Sequence, residues 1–416
     1  MVTPLGNDTA STWAGVLQGS SGIARLESFD ASGFPTQIAA EVRGLRPEDR
    51  IADRKILKYA RSFAAFALVA AEEAMADSGI HPNSTTAARW GVVGGSGMMT
   101  TSFASLERLA ERCVTDGALD LRRLGAQGDR LASPVEFAGH QSVCALGLLQ
   151  QRFGIEGYAN SVHTACASGG QALGLGARAI RRGDADYVLA GGYDSMINPL
   201  GLAGFCLLGA LSDDNDDPPA ASRPFDLTRN GFVLGEGAAF LVLEEWERAR
   251  ARGARIYGEL AGEGSSSSAY RITDSHPGGD GPVQAMRAAL LDAGEAPDRV
   301  DYVNAHGTST PMNDLTETNA IKTVFGERAR TLPVSSTKSQ IGHLIAAAGA
   351  VEGALCVLAI RDSMIPMTRN RKHADPECDL DYVTDSPRPA RIDVALSNSF
   401  GFGGTNSCLI FRSPTP

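Results

Sequence analysis

The chain has 416 residues, 43% of them hydrophobic and 21% charged, with a formal net charge of −10 at pH 7. That is the composition of a globular protein with enough chain for a large core, and the negative balance argues against a general role on nucleic acid or on an anionic membrane surface. No apolar run reaches the ~20 residues of a membrane span and no secretory leader opens the chain, so a cytoplasmic protein is expected.

In chain order, residues 63–77 read as a helix, amphipathic or buried, and residues 90–95 as a strand. The Gly94-Gly95-Ser96-Gly97 run that ends this strand is weak evidence for phosphate binding and fits a pocket loop better. Next comes Thr164-Ala165-Cys166-Ala167-Ser168-Gly169-Gly170, a single cysteine among small residues where a helix starts at Ala167 and runs to about Arg182. A strand-like run, residues 187–192, follows. Asp213 to Pro219 reads as an exposed turn, and Ser265 to Ser268 as a short polar loop. Strand-like residues 300–303 lead into Asn304-Ala305-His306-Gly307-Thr308-Ser309-Thr310-Pro311. Ser335-Ser336-Thr337-Lys338-Ser339-Gln340-Ile341-Gly342-His343 runs into a helix over 344–350. This alternation implies a largely parallel sheet covered by helices. There is also an internal echo: Cys166 opens a helix ending Ala179-Ile180-Arg181-Arg182, and His343 one ending Ala359-Ile360-Arg361-Asp362. Chance similarity between two buried helices is the plain explanation.

At a helix start the unpaired N–H groups and the dipole favour negative charge, so a thiol there ionises more readily and an oxyanion can be held. Cys166 therefore reads as a nucleophile, with a buried structural cysteine as the alternative. His306 and His343, two of seven histidines, sit in glycine-flanked junctions, and Lys338 lies five residues before the second. One cysteine with two histidines points to thiol acyl transfer with a polarised carbonyl. The seven cysteines, at 113, 144, 166, 206, 356, 378 and 408, are scattered, odd in number and free of CxxC pairs. That suits a reducing compartment and argues against a disulfide framework. With no ligand cluster and no dinucleotide fingerprint, no metal and no redox cofactor is expected.

These segments, together with Ala221-Ser222-Arg223-Pro224-Phe225-Asp226, Gly231-Phe232-Val233-Leu234-Gly235-Glu236-Gly237 and Asn398-Ser399-Phe400-Gly401-Phe402-Gly403-Gly404-Thr405-Asn406, resemble the β-ketoacyl-acyl-carrier-protein synthases of the elongating Cys-His-His type. The resemblance runs along nearly the whole chain. It implies an α/β thiolase-like fold of two related halves in α-β-α-β-α layers, here residues 1–250 with the cysteine and 251–416 with the histidines. It also implies a ping-pong Claisen condensation. An acyl group passes from carrier-protein phosphopantetheine to Cys166, malonyl carrier protein loses carbon dioxide, and the carbanion attacks the acyl-enzyme.

By match to the family, the amides of Cys166 and Phe402 form the oxyanion hole, and His306 and His343 contact the malonyl thioester. Lys338 matches the family lysine, with Glu352 as its ion-pair partner; a direct chemical role and a purely structural pair both stay open. Thr308 and Thr310 match the threonines that bond the pantetheine arm. Phe402 matches the gatekeeper phenylalanine, with a plain core residue as the alternative. Phe205 and Thr273 match pocket-wall positions. His163 is unusual for the family and reads as structural, and histidines 81, 140, 276 and 373 carry no motif.

The chain departs from the family at its start, where relatives carry a Val-Val-Val-Thr-Gly strand just before the counterpart of residues 1–7. Either the numbering starts late, or the strand is absent or supplied differently. The implied partners are acyl carrier protein and a second subunit, in a homodimer or in a heterodimer with a chain-length-factor-like chain. The helix and loop around residues 98–140 are expected at that interface. Carrier proteins are acidic, so Arg54, Lys55, Lys58 and Arg61 are candidates for docking, against an ordinary solvated helix face. Gly209 stands where many relatives have an arginine before Ala210-Leu211-Ser212. The non-catalytic reading, a chain-length-factor-like subunit, predicts loss of the cysteine, which is present. An initiating synthase would have Asn in place of His343.

Overall fold

Helices rich in glycine and alanine can be packed closely from more than one side, as the segments 168–181 and 348–362 are. In the computed structural model, which describes residues 1–97, 102–131, 133–271 and 276–414, they form the middle of the molecule. The helices that matter here are α1 (Ser62–Ser78), α2 (Ser168–Arg181), α3 (Pro199–Leu207), α4 (Asp280–Ala293), α5 (Pro311–Phe325) and α6 (Ala348–Asp362). A first sheet holds β1 (Trp90–Ser96), β2 (Ala159–Val162), β3 (Tyr187–Asp194) and β4 (Gly237–Glu244) in the order β2-β1-β3-β4. A second holds β5 (Glu259–Ser267), β6 (Tyr302–Asn304), β7 (Pro333–Ser335), β8 (Asp381–Tyr382), β9 (Val394–Phe400) and β10 (Thr405–Arg412) in the order β8-β7-β6-β9-β10-β5.

The pairing is mixed. β1 runs parallel to β2 and β3, and β8, β7, β6 and β9 run parallel in sequence. β4, β10 and β5 each run antiparallel to a neighbour. α1 covers the outer face of the first sheet through Phe66, Leu68 and Met75 against Trp90, Val92 and Phe240. α2 and α6 lie between the sheets, where Leu173, Val351 and Leu355 share a core with Val188, Ala395 and Phe411. α4 and α5 close the far side with Met286, Ala289 and Ile321 against Val303, Val334 and Leu396. These are the α-β-α-β-α layers of the thiolase-like fold.

Two local expectations are corrected. Gly94, Gly95 and Ser96 are not a loop but the end of β1. A Cβ on Gly95 would lie 2.4 Å from the Ser168 carbonyl, so glycine there lets the start of α2 press onto the sheet. The serine run is not a loop either: Ser265, Ser266 and Ser267 end β5, paired with Ser407, Asn406 and Thr405. Ser266 donates to the Gly281 carbonyl at 2.6 Å, which satisfies a polar side chain under α4. The acidic stretch from Asp213 is irregular to Asp217, where Pro218 opens the short helix Pro218–Ala221, and it is tethered, since Asp214 pairs with Arg223 at 2.8 Å and Asn215 receives the Gln37 amide at 2.7 Å.

Candidate active site

Cys166 sits in a 3₁₀ turn, Ala165–Ala167, directly ahead of α2. Ala165 takes a positive φ of 50°, and the turn is locked by Ser168, whose hydroxyl donates to the Ala165 carbonyl at 2.7 Å and accepts the Thr164 amide at 2.8 Å. The Cys166 sulfur lies 3.0 Å from His343 Nε2. The His306 and His343 rings stand edge to face, centroids 5.2 Å apart. The fold thus collects one sulfur and two imidazoles, all buried, from three distant segments.

The motifs at 221–226 and 231–237, which carry no chemistry of their own, turn out to be clamps on the histidine loops. His343 is held on both sides by the segment before β4: its amide donates to the Val233 carbonyl at 2.7 Å, and its carbonyl accepts the Gly235 amide at 2.9 Å. The 222–225 segment grips the loops as well, through Ser222 Oγ to the Lys338 carbonyl at 2.9 Å, the Arg223 amide to Ser309 Oγ at 3.0 Å and the Phe225 amide to Asp314 at 2.7 Å. Glu317 on α5 accepts the His306 and Gly307 amides, each at 2.8 Å, and a side-chain N–H of Asn398 at 3.1 Å. Glu317, Asp314 and Asn398 are site residues that sequence reasoning did not single out as such. The signal available was two acids three apart on a helix opened by a Thr-Pro cap, but nothing in the spacing says that they point inward.

Burial dominates the electrostatics. It pushes both histidines well below their usual range, helped by the Lys338 charge, so each imidazole is neutral at pH 7. It pushes the Cys166 thiol up to about 12, against the Lys338 charge and N–H bonds from Phe402 and Cys166 itself. This runs against the expectation of an easily ionised thiol: the Lys338 charge and the two N–H groups do lower the value, but desolvation outweighs them. The proton instead has a neutral acceptor 3.0 Å away in His343. Lys338 and Glu352 form an ion pair, each side chain 1% exposed, and burial pushes Glu352 up to about 7. The ligand atoms of Cys166, His306 and His343 lie within 4.8 Å of one another, the Cys-His-His grouping that the resemblance implies.

Comparison with known proteins agrees with this geometry. The N-terminal domain of beta-ketoacyl synthases matches residues 1–249, and the C-terminal domain residues 257–372. The chain belongs to the beta-ketoacyl synthase family. It is 45% identical over 410 residues to the 3-oxoacyl-[acyl-carrier-protein] synthase 2 of Coxiella burnetii, covering 99% of this chain and 96% of that one. It is 42% identical to the synthase 2 of Synechocystis sp. over 99% of this chain and 95% of that one. Among solved structures it resembles a chain from a complex of a type II PKS acyl-carrier protein with its ketosynthase bound to the hexaketide (TM-score 0.87, 34% identity, 99% of this chain and 97% of that chain). It also resembles the ishigamide ketosynthase/chain length factor (TM-score 0.86, 32% identity, 99% and 96%).

In this synthase a cavity of about 320 Å³ opens over Cys166, His306 and His343 and is lined by Thr308, Thr310 and Phe402. The two threonine hydroxyls lie 3.0 Å apart, and Thr310 also caps α5 by accepting the Asn313 amide at 3.3 Å. Phe402 is half-buried, not core, and begins an aromatic series: 6.3 Å to Phe205, then 5.6 Å from Phe205 to Phe232, then 5.1 Å from Phe232 to His343. Thr273 lies outside the described residues. His163 is bonded to Ser161 at 2.8 Å and Ser96 at 3.1 Å and makes no contact with the sulfur. Of the four basic candidates, Arg54, Lys55 and Lys58 are exposed on and just after the short helix Arg54–Leu57. Arg61 is set apart from them: it starts α1 and packs against Gly139, where a Cβ would lie 3.2 Å from its Nε.

Proposed function

We propose that this synthase carries out decarboxylative Claisen condensation at Cys166. The thiol passes its proton to His343 as the sulfur attacks an acyl thioester, and the carrier thiol leaves with a proton. Malonyl thioester then binds in the same cavity and loses carbon dioxide. The neutral imidazoles of His306 and His343 donate N–H bonds to the enolate oxygen. The enolate carbon attacks the acyl carbonyl, the oxyanion is held by the amides of Cys166 and Phe402, and the Cys166 thiolate leaves and takes up a proton from solvent, which restores the resting thiol. The product is a β-ketoacyl thioester two carbons longer. The observation that carries the reading is the 3.0 Å contact between Cys166 Sγ and His343 Nε2, with His306 beside it in one open cavity. The buried Lys338–Glu352 pair supports a positioning role for Lys338, whose charge adds to burial in keeping both imidazoles neutral. The reading of residues 1–250 and 251–416 as related halves rests on the matching turns ahead of α2 and α6.

The carriers are acyl carrier proteins bearing phosphopantetheine, and we place the reaction in the cytoplasm; among the described residues no helix is long and apolar enough to cross a membrane. A homodimer is favoured by the edge strand β2, exposed at Ala159 and Asn160, and by the exposed apolar side chains Phe103, Leu121 and Phe137 nearby in the chain. Light scattering tests it, and an active monomer at micromolar concentration would count against it. A non-catalytic partner subunit is disfavoured by the presence of the thiol. The deciding experiment is incubation with a panel of acyl and malonyl carrier proteins, with products weighed by mass spectrometry. No β-ketoacyl product from any pair overturns the reading, and the preferred chain length separates fatty-acid from polyketide use. Replacing Lys55 and Lys58 with Glu should raise KM for carrier-bound substrate several-fold at low salt and leave alkylation of Cys166 by a small reagent unchanged. Equal loss for both would reduce the cluster to surface.

A further inference from the structure

The cavity over Cys166 has to admit a thioester arm, and whatever carries the arm comes to rest on the rim. That rim is uncharged. Among the described residues, none that lines the cavity is an aspartate, glutamate, lysine or arginine. Asn230, on the rim, bonds Asp213 at 3.0 Å and Arg223 at 3.3 Å, and Arg223 is itself paired with Asp214 at 2.8 Å. The cation behind the rim is therefore already neutralised within the fold. Arg54, Lys55 and Lys58, the basic candidates for docking, do not line the cavity.

What the rim offers instead is apolar surface. α3 contains no charged residue. Its inward side is accounted for, since Leu202 is buried in one cluster with Cys166 and Phe232, and Phe205 packs against that cluster. A helix packed on one side should turn polar side chains outward, and α2 and α6 do so in their last turns with Arg181 and Arg361. α3 does the opposite. It ends on Leu207, its cap residue is Leu208, and Gly209 at a φ of 61° then turns the chain away. Leu207 is 89% exposed and Leu208 52%. Leu208 also lines the catalytic cavity, as does Met312 in the first turn of α5, which is 46% exposed. Single exposed apolar residues are ordinary, but a group of them around one opening marks a contact surface.

We propose that Leu207, Leu208 and Met312 form an apolar landing face for the carrier protein, covered by apolar side chains of the carrier next to its pantetheine attachment. This rests on the condensation reading above and adds how the carrier is held. The occupant follows from position. An arm threaded past Leu208 and Met312 to the sulfur brings the body of its carrier down on the residue just outside them, Leu207. An acyl thioester without a protein body reaches the same sulfur and leaves Leu207 in water. The face therefore serves carrier-bound substrate alone. It also divides the work of docking. Exposed lysines and arginines act at a distance, set the encounter rate and are screened by salt. An apolar contact sets how long the carrier stays and is not weakened by salt.

The test uses the full chain and two acyl donors: an acyl carrier protein that acylates the wild type, and the same acyl group on free pantetheine. Acylation of Cys166 at sub-saturating donor is timed by intact-protein mass spectrometry, at low and at moderate salt. Leu207→Ser changes a side chain outside the cavity. It should slow acylation by the carrier-bound donor ~10-fold at both salt levels, the scale of one leucine kept from burial, and leave the rate with acyl-pantetheine unchanged. Leu207→Met should restore the wild-type rate. Leu207→Ser combined with Leu208→Ser should slow the carrier-bound donor further. A wild-type rate in Leu207→Ser overturns the proposal and leaves the condensation reading standing, whereas a wild type that no carrier protein acylates overturns both. Equal loss with the two donors also overturns it, because the change then acts through the cavity. If Leu207→Ser alters the oligomeric state in light scattering, the face belongs to a second copy of this chain and the carrier proposal falls.

Discussion

The turn that carries Cys166 has a counterpart elsewhere in the molecule. Ala165–Ala167 precedes α2, and Ile345–Ala347 precedes α6, each a single 3₁₀ turn. The residue that opens each turn takes a positive φ, 50° at Ala165 and 47° at Ile345, although neither is glycine. The helices that follow are 14 and 15 residues long and pack against each other between the sheets. What differs is the occupant of the space in front. The amide of Ala346, in the middle of the second turn, donates to the Asp194 carboxylate at 3.0 Å, at the end of β3. The amide of Cys166 meets no such acid. β9 ends beside it at Phe400 and passes into Gly401, where a Cβ would lie 3.2 Å from the Cys166 nitrogen. One turn is sealed by a carboxylate and the other is left open to a cavity. The same backbone device makes an inward-pointing donor in both halves, and chemistry follows where that donor is unspent.

The largest break in this comparison is removal of the thiol. Cys166→Ala makes the two turns alike in lacking a nucleophile, and condensation should fall by at least ~10⁴-fold with the fold intact. Intact-protein mass spectrometry after incubation with acyl carrier protein checks it, and acylation persisting at the wild-type rate would refute the assignment. Next come His306→Ala and His343→Ala. Each removes a neutral donor from the open side and should cost ~10²–10³-fold in malonyl decarboxylation, more than in acyl transfer. Measured separately, the half-reactions would contradict these roles if transfer suffered and decarboxylation did not. Because both imidazoles are held well below their usual range, no acid limb should appear in the rate profile between pH 6 and 7.

The sealed turn gives a smaller and differently signed effect. Burial pushes Asp194 up to about 7 from 3.8, against amide bonds from Ala346 and Ser195. In the folded protein it therefore holds a proton between those values that the unfolded chain has released. Its contribution to stability falls as pH rises through that window. Asp194→Asn keeps an acceptor for Ala346 and removes the titration, so its stability relative to the parent should improve from pH 5 to pH 8. Urea unfolding at several pH values reads this, and a pH-independent difference would show that Asp194 does not titrate there. Asp194→Ala leaves the Ala346 N–H without its acceptor and should cost ~1–3 kcal/mol near pH 5, less at pH 8 because it removes the same titration.

The readable parts of this protein are those where one residue type in one local setting implies one job. Cys166 at a small-residue helix start and two histidines at glycine junctions were visible, as was the helix α1. The echo between two helices was visible too, with chance similarity as its plain explanation and the family resemblance favouring related halves; the positive φ at both Ala165 and Ile345 supports the second reading. What stayed hidden depends on direction. Glu317 and Asp194 are unremarkable acids in sequence, and only the fold turns them inward onto backbone amides. Ser265 to Ser267 misread as a loop because serine suits turns, yet here their polar groups are met by strand pairing and by α4. The thiol misread as easily ionised because a helix start is a local feature and desolvation is not.

The smallest expected effect is also the sharpest probe of the two turns. Ala165→Gly relieves a left-handed backbone that costs an L-residue roughly 1 kcal/mol, but it also gives the unfolded chain a similar gain in freedom. Net stability should change by less than about 0.5 kcal/mol. Ile345→Gly relieves the same backbone yet also empties a buried site, since Ile345 is 5% exposed and packs in one cluster with Cys166 and Phe232. A loss of ~2–5 kcal/mol is expected there, as for other large-to-small core changes. If the two glycine variants lose stability equally, the turns are held by their backbones alone and the contrast drawn from their occupants fails. If Ala165→Gly is neutral in urea unfolding but slows acylation of Cys166 a few-fold, the strained turn acts as an aiming device for the sulfur, a role its sealed counterpart has no use for.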